Sequence, residues 1–140
     1  MIKLQGCVDQ NYMVLGLGRS GMASAGALTA SGANVICWDD DEEKRSLASS
    51  KGFQIKSSSS DFDWQSIDRL IISPGIPNHF PLPHPIVAAA IAAGVLVDND
   101  VGLFFQSVAT ESWSNFSVRP KIVAVTGSNG KSTTASLLYY

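Results

Sequence analysis

Near the end of the chain, residues 127–134 read G-S-N-G-K-S-T-T, directly behind the apolar run I-V-A-V-T. Backbone N–H groups of such a turn can ring a phosphate, and Lys131 can set a cation against the outer phosphates. Ser132 can give its hydroxyl to magnesium, with Thr133 beside it. The spacing departs from the strict G-x-x-x-x-G-K-[ST] loop, because Val125 stands where the first glycine belongs and a glycine stands at 127 instead. Near the front, residues 16–21 read G-L-G-R-S-G. In that pattern the first glycine permits a tight turn, the second lets backbone approach a phosphate, and the third lets helix and strand pack closely. A helix opening there offers unpaired N–H groups and a partial positive charge to a diphosphate. Asp39 ends the next apolar run, at the spacing of an acid that reads a ribose or base. Asp40 and Asp41 start a helix, where acids complement the dipole and read as caps.

The elements that must position these residues follow from short apolar runs alternating with helical patterns. Strands are predicted over 12–15, 34–38, 70–72 and 95–97. Helices are predicted over 20–31, 41–51 and 85–93, closed by Gly32, Gly52 and Gly94 in turn. Ala23, Ala27 and Ala30 continue a small-residue face suited to close helix–sheet packing. Pro85 suits a first helical turn, and Asp98 or Asp100 can cap a short helix after the fourth strand. The serine run 57–60 reads as a solvated loop. Such β–α alternation specifies an α/β fold, a mostly parallel sheet with helices on both faces. Residues 110–120, T-E-S-W-S-N-F-S-V-R-P, show neither periodicity and read as a linker, and 121–125 as a fresh strand opening the second loop.

At 140 residues the chain suits one complete domain and not two. A net charge of −2, with 16% charged residues, gives no basic footprint for nucleic acid. Cys7 and Cys37, the two cysteines, lie next to apolar runs and read as buried free thiols of a reducing compartment. The opening M-I-K-L-Q-G-C is soon broken by Asp9, Gln10 and Asn11, unlike a secretory signal. The apolar run 86–97 is shorter than the roughly 18 residues a bilayer span takes. The expectation is a soluble, cytoplasmic protein with no membrane partner.

Two different glycine loops about 110 residues apart fit neither an ordinary dehydrogenase nor a simple P-loop ATPase. The pair is similar to that of the Mur ligases. V-T-G-S-N-G-K-S-T resembles that family's ATP loop, with the same glycine placement. L-G-L-G-R-S-G, S-P-G-I-P and D-N-D-V-G-L-F resemble the branch that adds D-glutamate to UDP-N-acetylmuramoyl-L-alanine (UDP-MurNAc-L-Ala) in peptidoglycan synthesis. The resemblance covers nearly the whole chain. It implies a Rossmann-like UDP-substrate domain at 1–110, a linker at 111–120, and the start of a central ATP-binding domain at 121–140. A third domain would receive D-glutamate. The expectation is therefore an N-terminal fragment with no ligase activity of its own, and a labile 121–140 segment that binds ATP weakly.

Carried onto this sequence, the resemblance places Gly18, Arg19, Ser20 and Gly21 at the diphosphate. Asp39 and Asp40 fall at the uracil, and Ser73 and Gly75 border the same pocket. It places Gly127, Ser128, Asn129, Gly130, Lys131, Ser132, Thr133 and Thr134 at ATP, with Lys131 catalytic and Ser132 on Mg2+. The implied reaction is attack of the alanine carboxylate on the γ-phosphate, then attack of the D-glutamate amine on the acyl phosphate. The implied enzyme is a monomer whose partners are these small molecules. In the family a threonine and an arginine follow the aspartate, where here Asp40 and Asp41 do, and Gly102 replaces an acid of D-I-E-L-F. Trp38 is a neighbour of the uracil or, as a strand-end tryptophan, part of the core. Rival readings are another Mur-type amide ligase or folylpolyglutamate synthase, a non-catalytic nucleotide-binding module, and an NAD-dependent oxidoreductase. The last gives Lys131 no purpose.

Overall fold

The computed structural model describes residues 4–58, 62–110 and 121–139. Five parallel strands form one sheet: β1 (Asn11–Leu15), β2 (Asn34–Trp38), β3 (Gln54–Ile55), β4 (Arg69–Ile72) and β5 (Leu96–Asn99), in the order β3-β2-β1-β4-β5. The helices are α1 (Arg19–Ala30), α2 (Glu42–Ser50), α3 (Pro85–Ala92), α4 (Asp100–Thr110) and α5 (Lys131–Tyr139), with a 3-10 turn at Trp64–Ser66.

Successive side chains of a strand point to opposite faces. Tyr12 and Val14 of β1 therefore join one core with Ala25 and Leu28 of α1 and Ala48 of α2. Met13 and Leu15 join the other, with Ile86, Val87 and Ala90 of α3 and with Phe62 and Ile67. A strand covered on both faces needs apolar residues at every position, which is why M-V-L reads as a continuous run. Helices on both faces of a parallel sheet are as the sequence predicts. The register is level at the carboxyl end: Leu15 stands opposite Trp38 on one side and Ile72 on the other. The loops after β2 and β4 thus flank the loop after β1. The strand order reverses at β1, and open α/β sheets bind ligands at such a switch point.

Five features differ from the sequence expectations. β3, two residues long, and the 3-10 turn were not predicted. The cap of α4 is Asn99, whose Oδ1 accepts from the Gly102 N–H at 2.9 Å, and neither Asp98 nor Asp100 fills that role. Asp40 is not a helix cap either. The strand predicted at 121–125 does not form; these residues carry no regular structure and Val123 is 69% exposed. A strand exists through the hydrogen bonds of its neighbours, and the sheet's five strands do not include this segment. Of the predicted linker, residues 111–120 lie outside the described residues, as do 59–60 of the serine loop. Cys7 and Cys37 are free and buried, and burial pushes the Cys37 thiol up to about 12. No helix among the described residues is long and apolar enough to cross a membrane.

Candidate functional site

The loop from β1 to α1 is built by tight contacts that its glycines permit. Gly16 takes a φ of +90°, the left-handed region that a side chain disfavours. Its N–H donates to the Trp38 carbonyl at 2.8 Å, and its own carbonyl accepts from the Ser73 hydroxyl at 2.7 Å. Gly21 lies so close that a Cβ there would stand 1.7 Å from the Gly16 oxygen. Gly18 differs. Its φ is an ordinary −70°, and a Cβ there would meet nothing within 4 Å. Nothing among the described residues requires a glycine at 18.

Gly18 is also the N-cap of α1, and it offers no side-chain cap. No acid occupies the first turn. The other three helices around the sheet start differently. Asp41 caps α2 and Glu42 and Glu43 follow it. His84 caps α3, and α4 has Asn99 and Asp100. Of these four, only α1 lacks both a side-chain cap and an acid at its start, which leaves its first N–H groups and dipole open to an anion.

The loop after β2 is held from several sides. Asp39 is buried, with Oδ2 accepting from the Leu17 N–H at 2.6 Å and Oδ1 from the Asp41 N–H at 2.9 Å. It braces the glycine loop against its neighbour. Arg45 donates to the carbonyls of Asp39 and Asp40, at 2.7 and 2.9 Å, and its guanidinium lies 4.6 Å from the centre of the Trp38 ring. Trp38 is core, 7% exposed and edge-on to Phe62. Its indole N–H donates to Asp40 Oδ1 at 3.2 Å, and Asp40 Oδ2 pairs with His84 Nε2 at 2.8 Å. The bond to His84 is the chief reason the Asp40 carboxyl lies below its usual range.

The structure therefore gathers Gly18, Arg19, Ser20, Gly21, Asp39, Asp40 and Ser73 at the carboxyl end of the sheet. Gly75 sits exposed in the loop after β4, at a φ of +95°. Sequence reasoning missed Arg45 and His84. The cap at His84 was legible in the H-P pair before a helix; its partner Asp40, 44 positions away, was not. A cavity of about 390 Å³ between α1 and α4 adjoins the glycine loop, lined by Leu4, Ala27, Leu103 and Phe104, with Asp100 and with Arg19 and Ser20 of the α1 start. Its apolar walls, away from Asp39, Asp40 and Ser73, do not suit a diphosphate.

The second loop stands apart, and every residue from 126 to 138 is exposed. Gly127 and Gly130 take φ of +147° and +78°, so the turn predicted by the two glycines forms. Lys131 Nζ donates to the Gly127 carbonyl and, at 3.4 Å, to that of Ser128. The Thr134 N–H reaches the Gly130 carbonyl at 2.9 Å and opens α5.

Comparison with known proteins agrees with this geometry. Residues 10–98 match the family model for the Mur ligase MurD-like N-terminal domain. The UDP-N-acetylmuramoylalanine--D-glutamate ligases of Roseobacter denitrificans and Ruegeria pomeroyi are each 51% identical over 140 residues, covering all of this chain and 30% of theirs. That of a Jannaschia species is 50% identical over 133 residues, or 95% of this chain and 29% of its own. The chain thus spans about 30% of the length of these relatives. Shikimate dehydrogenase from Aquifex aeolicus shares the fold, with a TM-score of 0.55 and 15% identity over 80% of this chain and 51% of that one. The family model covers most of the chain and matches the sheet with its glycine loop, so the chain belongs to the Mur ligase MurD-like family, through that family's N-terminal domain.

Proposed function

We propose that this chain supplies the UDP-substrate-binding part of an ATP-dependent ligase joining D-glutamate to UDP-MurNAc-L-Ala, in cytoplasmic peptidoglycan precursor synthesis. On this reading residues 1–110 bind the UDP substrate, 111–120 link, and 121–140 begin an ATP-binding domain. The observation that carries it is the start of α1: an uncapped, acid-free helix end at a glycine with open space around it. The ligase name borne by the relatives supports the choice of substrate.

The N–H groups of Gly18, Arg19, Ser20 and Gly21 bind the diphosphate, as an anion is bound at a helix N-terminus. Asp39 keeps the loop in shape, and the exposed Asp40 carboxylate faces the uracil. Ser73, bonded to the Gly16 carbonyl, fixes the tight turn beneath the site, and Gly75 keeps the far wall low. The loop at 127–134 fits a nucleotide triphosphate, since Lys131 already folds its ammonium over the turn's carbonyls. Gly127, Ser128, Asn129 and Gly130 would supply N–H groups to the phosphates, Ser132 a hydroxyl to Mg2+, and Thr133 and Thr134 further donors. ATP, when bound, supplies the phosphoryl group that activates the alanine carboxylate for attack by the D-glutamate amine. Lys131 would neutralise charge in that step, the part a protein mainly plays in phosphoryl transfer. The enzyme acts as a monomer on small molecules.

Calorimetric titration tests the assignment. UDP and UDP-MurNAc-L-Ala are expected to bind this chain at least tenfold more tightly than NAD. Equal or tighter binding of NAD contradicts it.

A further inference from the structure

Asp40 combines an exposed carboxylate, 70% at the side chain, with a fixed direction. Both oxygens are engaged, Oδ1 by the Trp38 indole and Oδ2 by His84. The His84 side chain is only 14% exposed. Its Nδ1 accepts the Ile86 N–H at 3.2 Å and so caps α3. A backbone N–H can only donate, so Nδ1 carries the lone pair. The neutral ring then holds its proton on Nε2 and donates it to Asp40. One imidazole thereby starts α3 and aims the carboxylate that follows β2. Since β1 lies between β2 and β4, this bond also ties together the two loops that flank the glycine loop.

We propose that His84 is a positioning residue for uridine recognition, acting through Asp40, whose carboxylate it fixes as the acceptor for the uracil N3–H. The proposal rests on the UDP-substrate reading. A carboxylate has about four lone-pair sites, so Asp40 retains acceptor capacity beyond its two protein partners. Without the Nε2 donor it is tethered through one oxygen and free to turn. The loop's backbone would stay in place, because Arg45 and the Asp39 carboxylate hold it independently.

Two variants separate the ring's two jobs. In His84→Asn the amide oxygen stands where Nδ1 stood and keeps the cap, but the side chain is too short to reach Asp40. In His84→Gln the terminal N–H2 stands where Nε2 stood and keeps the bond to Asp40, but the cap is lost. UDP titration of the whole chain is expected to show about tenfold weaker binding for His84→Asn, the scale of one hydrogen bond to a charged group, with a melting temperature close to the parent's. His84→Gln is expected to bind UDP within about twofold of the parent chain while melting lower. The loss in His84→Asn should vanish with N3-methyl-UDP, which has no N–H to give, and in an Asp40→Ala background. A His84→Asn chain that binds UDP as the parent does overturns the proposal, as does a loss that persists in Asp40→Ala. If the parent chain itself fails to bind UDP, the substrate reading falls and this proposal with it; if the parent binds and His84→Asn is unchanged, only this proposal falls.

Discussion

A methyl group at Gly21 would stand 1.7 Å from the Gly16 oxygen and 2.6 Å from the Ser73 hydroxyl, while one at Gly18 would meet nothing within 4 Å. Gly21→Ala is therefore expected to destabilise the fold by about 3 kcal/mol, the upper range for overpacking. Gly18→Ala should change stability by less than about 1 kcal/mol yet weaken UDP binding at least tenfold. Thermal melts and titrations of the two variants check both halves, and a Gly18→Ala chain with normal affinity would remove the backbone-approach argument. At Asp40 the bond to His84 lowers the carboxyl pKa, partial burial opposes it, and the Trp38 bond adds to the lowering. The folded chain then binds that proton less readily than the unfolded chain. The contribution is complete above the ordinary aspartate value of about 3.9 and is lost as pH falls through the folded value. Asp40→Asn should slightly flatten the acid limb of a plot of urea midpoint against pH. The effect is small because the group is largely exposed.

At the scale of elements, α4 shows a glycine fitted to a charge pair. Asp98 is held by Arg69 at 3.1 Å, and Arg69 also donates to Gln106 Oε1 at 2.6 Å. A Cβ at Gly102 would stand 1.7 Å from Asp98 Oδ1. The acid that the family pattern has at this position would bring a second negative charge against Asp98. Gly102→Ala is thus expected to lower stability by about 1 kcal/mol or more, although alanine is the better helix former. In an Asp98→Ala background the same substitution should raise stability, and a sign that does not reverse in the melts contradicts the fit. The sequence made β1 and β4 legible because both-sided burial leaves nearly unbroken apolar runs. The less buried β2 and edge strand β5 were legible through the β-branched residues that follow Gly32 and Gly94. β3 was not legible, because two residues at the sheet's edge carry no period. Residues 121–125 had the β-branched composition of a strand, but composition cannot supply the neighbour that makes one. In the site, the glycine loop was legible from local spacing, whereas the Asp40–His84 bond joins two loops that only the folded sheet brings together.

Among the described residues, two buried clusters back the two faces of the sheet, and the second glycine loop has exposed residues around it. The central claim is that the first loop is the UDP site. It is tested most directly by following backbone amides of the isotope-labelled chain in two-dimensional NMR while UDP is added. Saturable shifts are expected at residues 18–21 and at Asp40 and Asp41, with α3 following through His84 and with the 131–139 helix unmoved. Shifts confined to residues 127–134, or a first loop that stays unmoved at saturating UDP, would contradict the account.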